Sequence, residues 1–235
     1  MARMASTLVT GRRGWREYWA NKTTPLHARE TEQDFQALAG ELRLLFADRP
    51  VEKVLEIGCG NGALFGPLGF AEVPRYLGID FSAAMLAEFR ARHPGTDLLV
   101  ADAAGFTSPE RFDLIFSSHV AQYWDRRQLA EHLDQAAAML TEHGSVVIAG
   151  IPWSRMRFAY ARGDVTGGDL TGGSGRRSLP LAAVSLLREF LTPDIGHWYD
   201  LPDLTGLAAE RGLVATFRGS CYYPYRFHAI CRRGS

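Results

Sequence analysis

The chain has 235 residues, 46% hydrophobic and 22% charged, a composition that buries one sizeable core and points to one globular domain with embellishments. Lys plus Arg and Asp plus Glu both number 26, so no net field draws the chain to nucleic acid. No window offers ~18 consecutive apolar residues, and Cys59, Cys221 and Cys231 lack Cys-x-x-Cys spacing, so a cytoplasmic protein with no membrane span, signal peptide, disulfide framework or metal is expected.

In chain order, Trp15 to Trp19 forms an aromatic cluster and Phe35 to Phe46 an amphipathic helix, together an N-terminal arm over 1–50. Lys53 to Ile57 reads as a short buried strand punctuated at once by glycines and followed by a first helix. Tyr76 to Ile79 is a second strand, after which Ser82 caps a helix carrying Met85, Leu86 and Phe89 on its apolar side. Further strands are expected at Leu98–Ala101 and Phe112–Phe116. Asp125 then caps a helix running through Leu129, Leu133 and Leu140 to Gly144, and Ser145–Ala149 is a buried fifth strand. Strands that alternate with helices favour right-handed crossovers and a parallel sheet covered on both faces, here over 51–152.

Beyond Ile151 the pattern changes, and six glycines between Gly163 and Gly175 predict a flexible insertion or lid over 153–200, with an apolar helix near Leu181–Phe190. The remaining stretch, 201–235, carries a helix at Leu201–Ala209 and strands at Leu213–Arg218 and Arg226–Cys231. The connection between those strands is too short for a parallel crossover, so an antiparallel hairpin must complete the same sheet. The expected fold is therefore α/β, doubly wound, with a mostly parallel seven-stranded sheet.

Glu56-Ile57-Gly58-Cys59-Gly60-Asn61-Gly62 stands where backbone must approach a ligand closely. Gly58, Gly60 and Ala63 also satisfy the G-x-G-x-x-A form of a dinucleotide fingerprint, and Asp80, ending the second strand, suits a ribose in either case. Glu56 and Asp102 are not part of that fingerprint. With them the segment resembles the class I S-adenosylmethionine-dependent methyltransferases, whose first motif, E/D-x-G-x-G-x-G, it matches at every fixed position. The resemblance covers roughly 51–152 and implies a Rossmann-like fold and S-adenosyl-L-methionine as cofactor, released as S-adenosyl-L-homocysteine. It implies that Glu56, Gly58, Gly60 and Gly62 serve the methionine part, that Asp80 holds the ribose, and that Phe81, Asp102 and Ala103 surround the adenine. Ser117 would lie beside the amino acid moiety.

The fourth strand runs into Ser117-Ser118-His119-Val120-Ala121-Gln122-Tyr123-Trp124, where nitrogen methylases of adenine and glutamine carry Asn/Asp-Pro-Pro-Tyr/Phe. A small-molecule acceptor fits better, and His119 is the candidate general base because its ordinary pKa lies near working pH. The strand exits place Tyr123, Trp153, Tyr222, Tyr223, Tyr225 and His228 on the acceptor side. Trp15-x-x-x-Trp19 and Thr24-x-x-His27 resemble the opening of thiopurine methyltransferase-like enzymes, which makes Trp19 part of a lid over the cofactor. Methylation at oxygen is the leading expectation. Methylation of an amine, a nicotinamide-dependent oxidoreductase and a non-catalytic cofactor-binding protein are the alternatives.

Overall fold

A computed structural model describes residues 32–103, 105–165 and 196–234, with scattered positions between 180 and 187. The aromatic cluster at Trp15–Trp19, most of the glycine-rich stretch and most of the helix expected near Leu181–Phe190 lie outside the described residues.

The strands are β1 (Lys53–Ile57), β2 (Arg75–Asp80), β3 (Leu98–Val100), β4 (Phe112–Ser118), β5 (Leu140–Pro152), β6 (Leu213–Gly219) and β7 (Arg226–Arg233). Within the described residues they form one seven-stranded sheet in the order β3-β2-β1-β4-β5-β7-β6. β1 to β5 pair in parallel, and β7 is antiparallel to both β5 and β6, so the hairpin expected from the short connection is present. The helices are α1 (Glu32–Arg43), α2 (Ala83–Arg92), α3 (Arg126–Met139), α4 (Arg157–Arg162) and α5 (Leu201–Ala209). None among the described residues is long and apolar enough to cross a membrane.

Side-chain alternation splits the core into two layers, one on each face of the sheet. Val54, Leu114 and Phe116 pack with Leu38, Leu42, Phe70 and Phe89, while Leu55, Ile57 and Ile115 pack with Leu129, Leu133, Leu204 and Leu207. Helix starts follow the sequence closely. Ser82 Oγ accepts from the Met85 amide at 3.3 Å. Asp125 and Gln128 form a reciprocal capping box, the carboxylate accepting from the Gln128 amide at 2.8 Å and the Gln128 side chain accepting from the Asp125 amide at 3.1 Å.

Two expectations are corrected. No α-helix follows β1: residues 58–69 run as successive turns, closed by bonds such as Leu68 N to Leu64 O at 2.9 Å, before one 3₁₀ turn at Phe70–Glu72. Gly62, Gly66, Pro67 and Gly69 explain this, since glycine costs about 1 kcal/mol in a helix interior and proline about 3. The helix expected to reach Gly144 ends at Met139, and Leu140 already pairs with Phe112, which makes β5 13 residues long.

His132 lies on the buried face of α3 against Trp124, with ring centroids 4.5 Å apart, and its Nε2 has no hydrogen-bond partner among the described residues. Burial lowers its pKa from 6.5 to about 4. The unfolded chain therefore binds this proton first, and stability present above pH 6.5 is lost as pH falls toward 4. The full difference is about 3 kcal/mol. In urea titrations at several pH values, His132→Phe should flatten this dependence. An unchanged slope between pH 6.5 and 4 would remove His132 as its cause.

Candidate active site

β1 is the strand from which the chain turns to β2 on one side and to β4 on the other, and such a switch point opens a crevice at the carboxyl ends of the strands. A cavity of about 380 Å³ lies there. One wall consists of Glu56, Gly58 to Asn61, Asp80, Phe81, Met85 and Ala103. The other consists of Ser118, His119, Val120, Gln122, Tyr123, Tyr223, Tyr225 and Arg226.

Backbone bonds shape the first wall. The amides of Gly58 and Cys59 both donate to Ile79 O, at 2.8 and 3.1 Å, and the Gly60 amide donates to Asp80 Oδ2 at 3.0 Å. Asp80 Oδ1 accepts from the Ser82 amide at 2.8 Å. Gly58, Gly60 and Gly62 of this loop all adopt positive φ, each with different surroundings. A Cβ on Gly58 (φ 71) would collide with Val120, and one on Gly62 (φ 77) would lie 2.6 Å from the Phe89 ring. One on Gly60 (φ 53) would meet only the Met85 methyl, at 3.4 Å. Gly62 does not line the cavity and serves packing, whereas Gly60 keeps open a space beside the loop.

Glu56 and Asp80 are both buried carboxyls on this wall. Burial drives the Glu56 pKa up to about 7 against a 2.6 Å hydrogen bond donated by Tyr76, and the Asp80 charge adds to the rise. Burial also raises the Asp80 pKa, opposed by the amides of Ser82, Gly60 and Phe81.

His119 stands at the end of β4 with φ 59, the one non-glycine residue at positive φ among the described residues. That conformation is uncommon outside glycine and concentrates at functional sites. Its amide donates to Ala149 O at 2.9 Å, and Nδ1 lies 3.0 Å from Ser118 Oγ. The ring meets Tyr223 edge-on, with centroids 5.1 Å apart, and covers Gly150, where a Cβ would fall 2.8 Å from Nε2.

Several expected residues lie elsewhere. Ser117 is buried beneath the cavity with its Oγ lacking a partner among the described residues, and strand alternation turns Ser118 to the cavity instead. Asp102 is exposed and lines a separate cleft with Gly105, Arg127 and Glu131. Trp153 donates from Nε1 to Asp200 at 3.0 Å and does not reach the cavity. His228 is buried: its Nδ1 accepts from the Gly150 amide at 3.1 Å and its Nε2 lies 2.6 Å from Glu41 Oε1. Glu41 Oε2 accepts from the amides of Cys221 and Tyr222, so His228 and the backbone at Tyr222 fasten α1 to the hairpin. Trp19 is outside the described residues. Sequence reasoning missed Arg226, Gln122, Val120 and Met85. The signal for Arg226 was a cation opening the otherwise apolar strand Arg226-Phe-His-Ala-Ile-Cys.

Gly62→Ala should cost about 2 kcal/mol or more in urea unfolding, from the Phe89 clash added to the unfavourable φ, and Gly60→Ala about 1 kcal/mol. Equal losses would refute this division between packing and clearance.

Residues 54–144 match the model of a methyltransferase domain. The chain is 32% identical over 100 residues to a trans-aconitate 2-methyltransferase of Escherichia coli O7:K1, a match covering 42% of this chain and 38% of that protein. It is 28% identical over 96 residues to a caffeic acid 3-O-methyltransferase of Clarkia breweri, covering 41% of this chain and 25% of the other. The matches thus span well under half the length of either relative. The structure of CalS10, an amino pentose methyltransferase from Micromonospora echinaspora, superposes with a TM-score of 0.61 at 16% identity, covering 98% of this chain and 100% of that one. At that identity the likeness is one of fold.

Proposed function

We propose that this chain, whose residues 54–144 match the model of a methyltransferase domain, transfers a methyl group from S-adenosyl-L-methionine to an oxygen of a small molecule, with His119 as general base. The observation that carries this reading is the cavity itself, which the glycine loop, Asp80 and, from the end of β4, His119 line together. The clearance at Gly60 and the buried Asp80 carboxylate fit such a cofactor.

When bound, that cofactor supplies an electrophilic methyl group on a sulfonium. Asp80 would accept from the ribose hydroxyls, and Phe81 and Ala103, which line the same cavity, would flank the adenine, whereas Asp102 lines the separate cleft. Gly58 and Gly60 let backbone approach the methionine part. Glu56, held near neutral pH by burial, is drawn to its charged form by positive charge placed beside it. On the opposite wall His119 Nδ1 takes the acceptor's proton, relayed by Ser118 Oγ, which lines the cavity 3.0 Å away. Tyr123, Tyr223 and Tyr225 hold the acceptor in position and limit water.

Two measurements test the reading. S-adenosylhomocysteine should bind in calorimetry while NAD does not, and Asp80→Ala should weaken that binding at least about tenfold, because hydrogen bonds to a charged acceptor contribute ~1.5 kcal/mol or more each. Tighter binding of NAD, or unchanged affinity in the variant, would end the assignment. With labelled cofactor and a panel of phenols, sugars and amines, His119→Ala should lower turnover about a hundredfold or more while leaving S-adenosylhomocysteine affinity within a few fold. A loss below about tenfold would replace base catalysis by positioning, with an amine as acceptor.

A further inference from the structure

Arg226 opens β7 at the cavity wall and is only 6% exposed. Its two bonded neighbours are neutral: Nη1 donates to Gly150 O at 2.5 Å and Nη2 to Gln122 Oε1 at 2.8 Å. The guanidinium carbon also lies 5.0 Å from the centroid of Tyr225 and 5.8 Å from that of Tyr223. No carboxylate among the described residues pairs with it. The contrast with other arginines is sharp: Arg75 pairs with Glu110, Arg211 with Asp134 and Arg232 with Asp48. A guanidinium has five N–H donors, and the Nε donor of Arg226 has no partner among the described residues. Burying a cation is costly unless it is paired, and neutral acceptors with aromatic faces offset only part of that cost.

The carboxyls of the same cavity do not supply the missing charge. Glu56 accepts from Tyr76, and Asp80 from the amides of Gly60 and Ser82, all groups on or just after β1 and β2, and among the described residues neither carboxyl bonds to Arg226. Arg226 instead belongs with Gln122, Tyr223, Tyr225 and His119, which meet around Gly150 and Tyr223. We infer that Arg226 is the anion-binding residue of the acceptor side, and that the molecule receiving the methyl group carries a carboxylate beside a flat apolar body lying against Tyr223 and Tyr225. A guanidinium suits this partner because its planar fork matches the two oxygens of a carboxylate. The inference rests on the methyltransferase reading of the cavity.

The test uses the intact chain, with S-adenosylhomocysteine titrated first. Failure of that compound to bind ends the methyltransferase reading and this inference with it. If it binds, the loaded protein is titrated with benzoate, benzamide and phenyl phosphate. Benzoate should bind at least about tenfold more tightly than benzamide, the difference expected for a charge-assisted hydrogen bond in a dry site. Arg226→Met should abolish this preference, Arg226→Lys should retain part of it, and neither should change S-adenosylhomocysteine affinity more than about twofold. Equal binding of benzoate and benzamide, or no binding of benzoate, would overturn the inference. Preference for phenyl phosphate over benzoate would overturn the choice of carboxylate. If Arg226→Met weakens S-adenosylhomocysteine as much as benzoate, the arginine holds the cofactor's own carboxylate and the acceptor assignment falls. Should the methionine variant not fold, the benzoate-to-benzamide ratios of wild type and Arg226→Lys decide.

Discussion

The carbonyl of Ile79 receives two amides, from Gly58 and Cys59, and the neighbouring Asp80 carboxylate receives a third, from Gly60. These three bonds fix the path by which the chain leaves β1, and the rest of the site is arranged around that path. Because β1 pairs with β2 on one edge and β4 on the other, a loop tied to the end of β2 leaves the end of β4 standing apart from it. The crevice between them is a consequence of sheet topology. The glycines then serve distinct purposes along one short loop: Gly58 makes room for Val120, Gly62 for Phe89, and Gly60 for the cavity.

Charge is distributed across the cavity in the same way. Two buried carboxyls stand on the loop side, where burial raises both pKa values and backbone amides or Tyr76 hold the groups in place. A buried guanidinium stands on the hairpin side, joined to neutral groups only. No ion pair joins Arg226 to either carboxyl among the described residues. Burying these groups costs stability unless they are paired or hydrogen-bonded.

The antiparallel hairpin closes the far side of the crevice. His228 receives the Gly150 amide and contacts Glu41 of α1, and Glu41 in turn accepts the amides of Cys221 and Tyr222. Gly150 itself lies under the His119 ring and gives its carbonyl to Arg226. One glycine of β5 therefore connects the helical layer, the hairpin, His119 and Arg226. A side chain at position 150 would push against the imidazole and disturb this whole wall.

What the sequence determined by itself is what depends on neighbours close in the chain. The strands from Lys53 onward, the caps at Ser82 and Asp125, the helix at Leu201–Ala209 and the short hairpin connection were all legible, because a few adjacent residues decide alternation, capping and turn length. The glycine loop, Asp80, Phe81 and Ala103 were legible for the same reason: they stand at strand ends, which the sheet order brings to one crevice. Other features required the folded chain. Ser118 faces the cavity and Ser117 does not, because β4 runs two residues past Phe116 and alternation is counted within the assembled sheet. His228 turned from a pocket residue into a fastening because its partner, Glu41, stands 187 positions away, on a helix whose docking no local pattern encodes. Arg226 became a buried cation of the cavity lining through bonds to Gly150 and Gln122 that cross 76 and 104 positions. Hydrogen bonds and buried charge are satisfied across space, whereas sequence patterns report only what neighbours along the chain prefer.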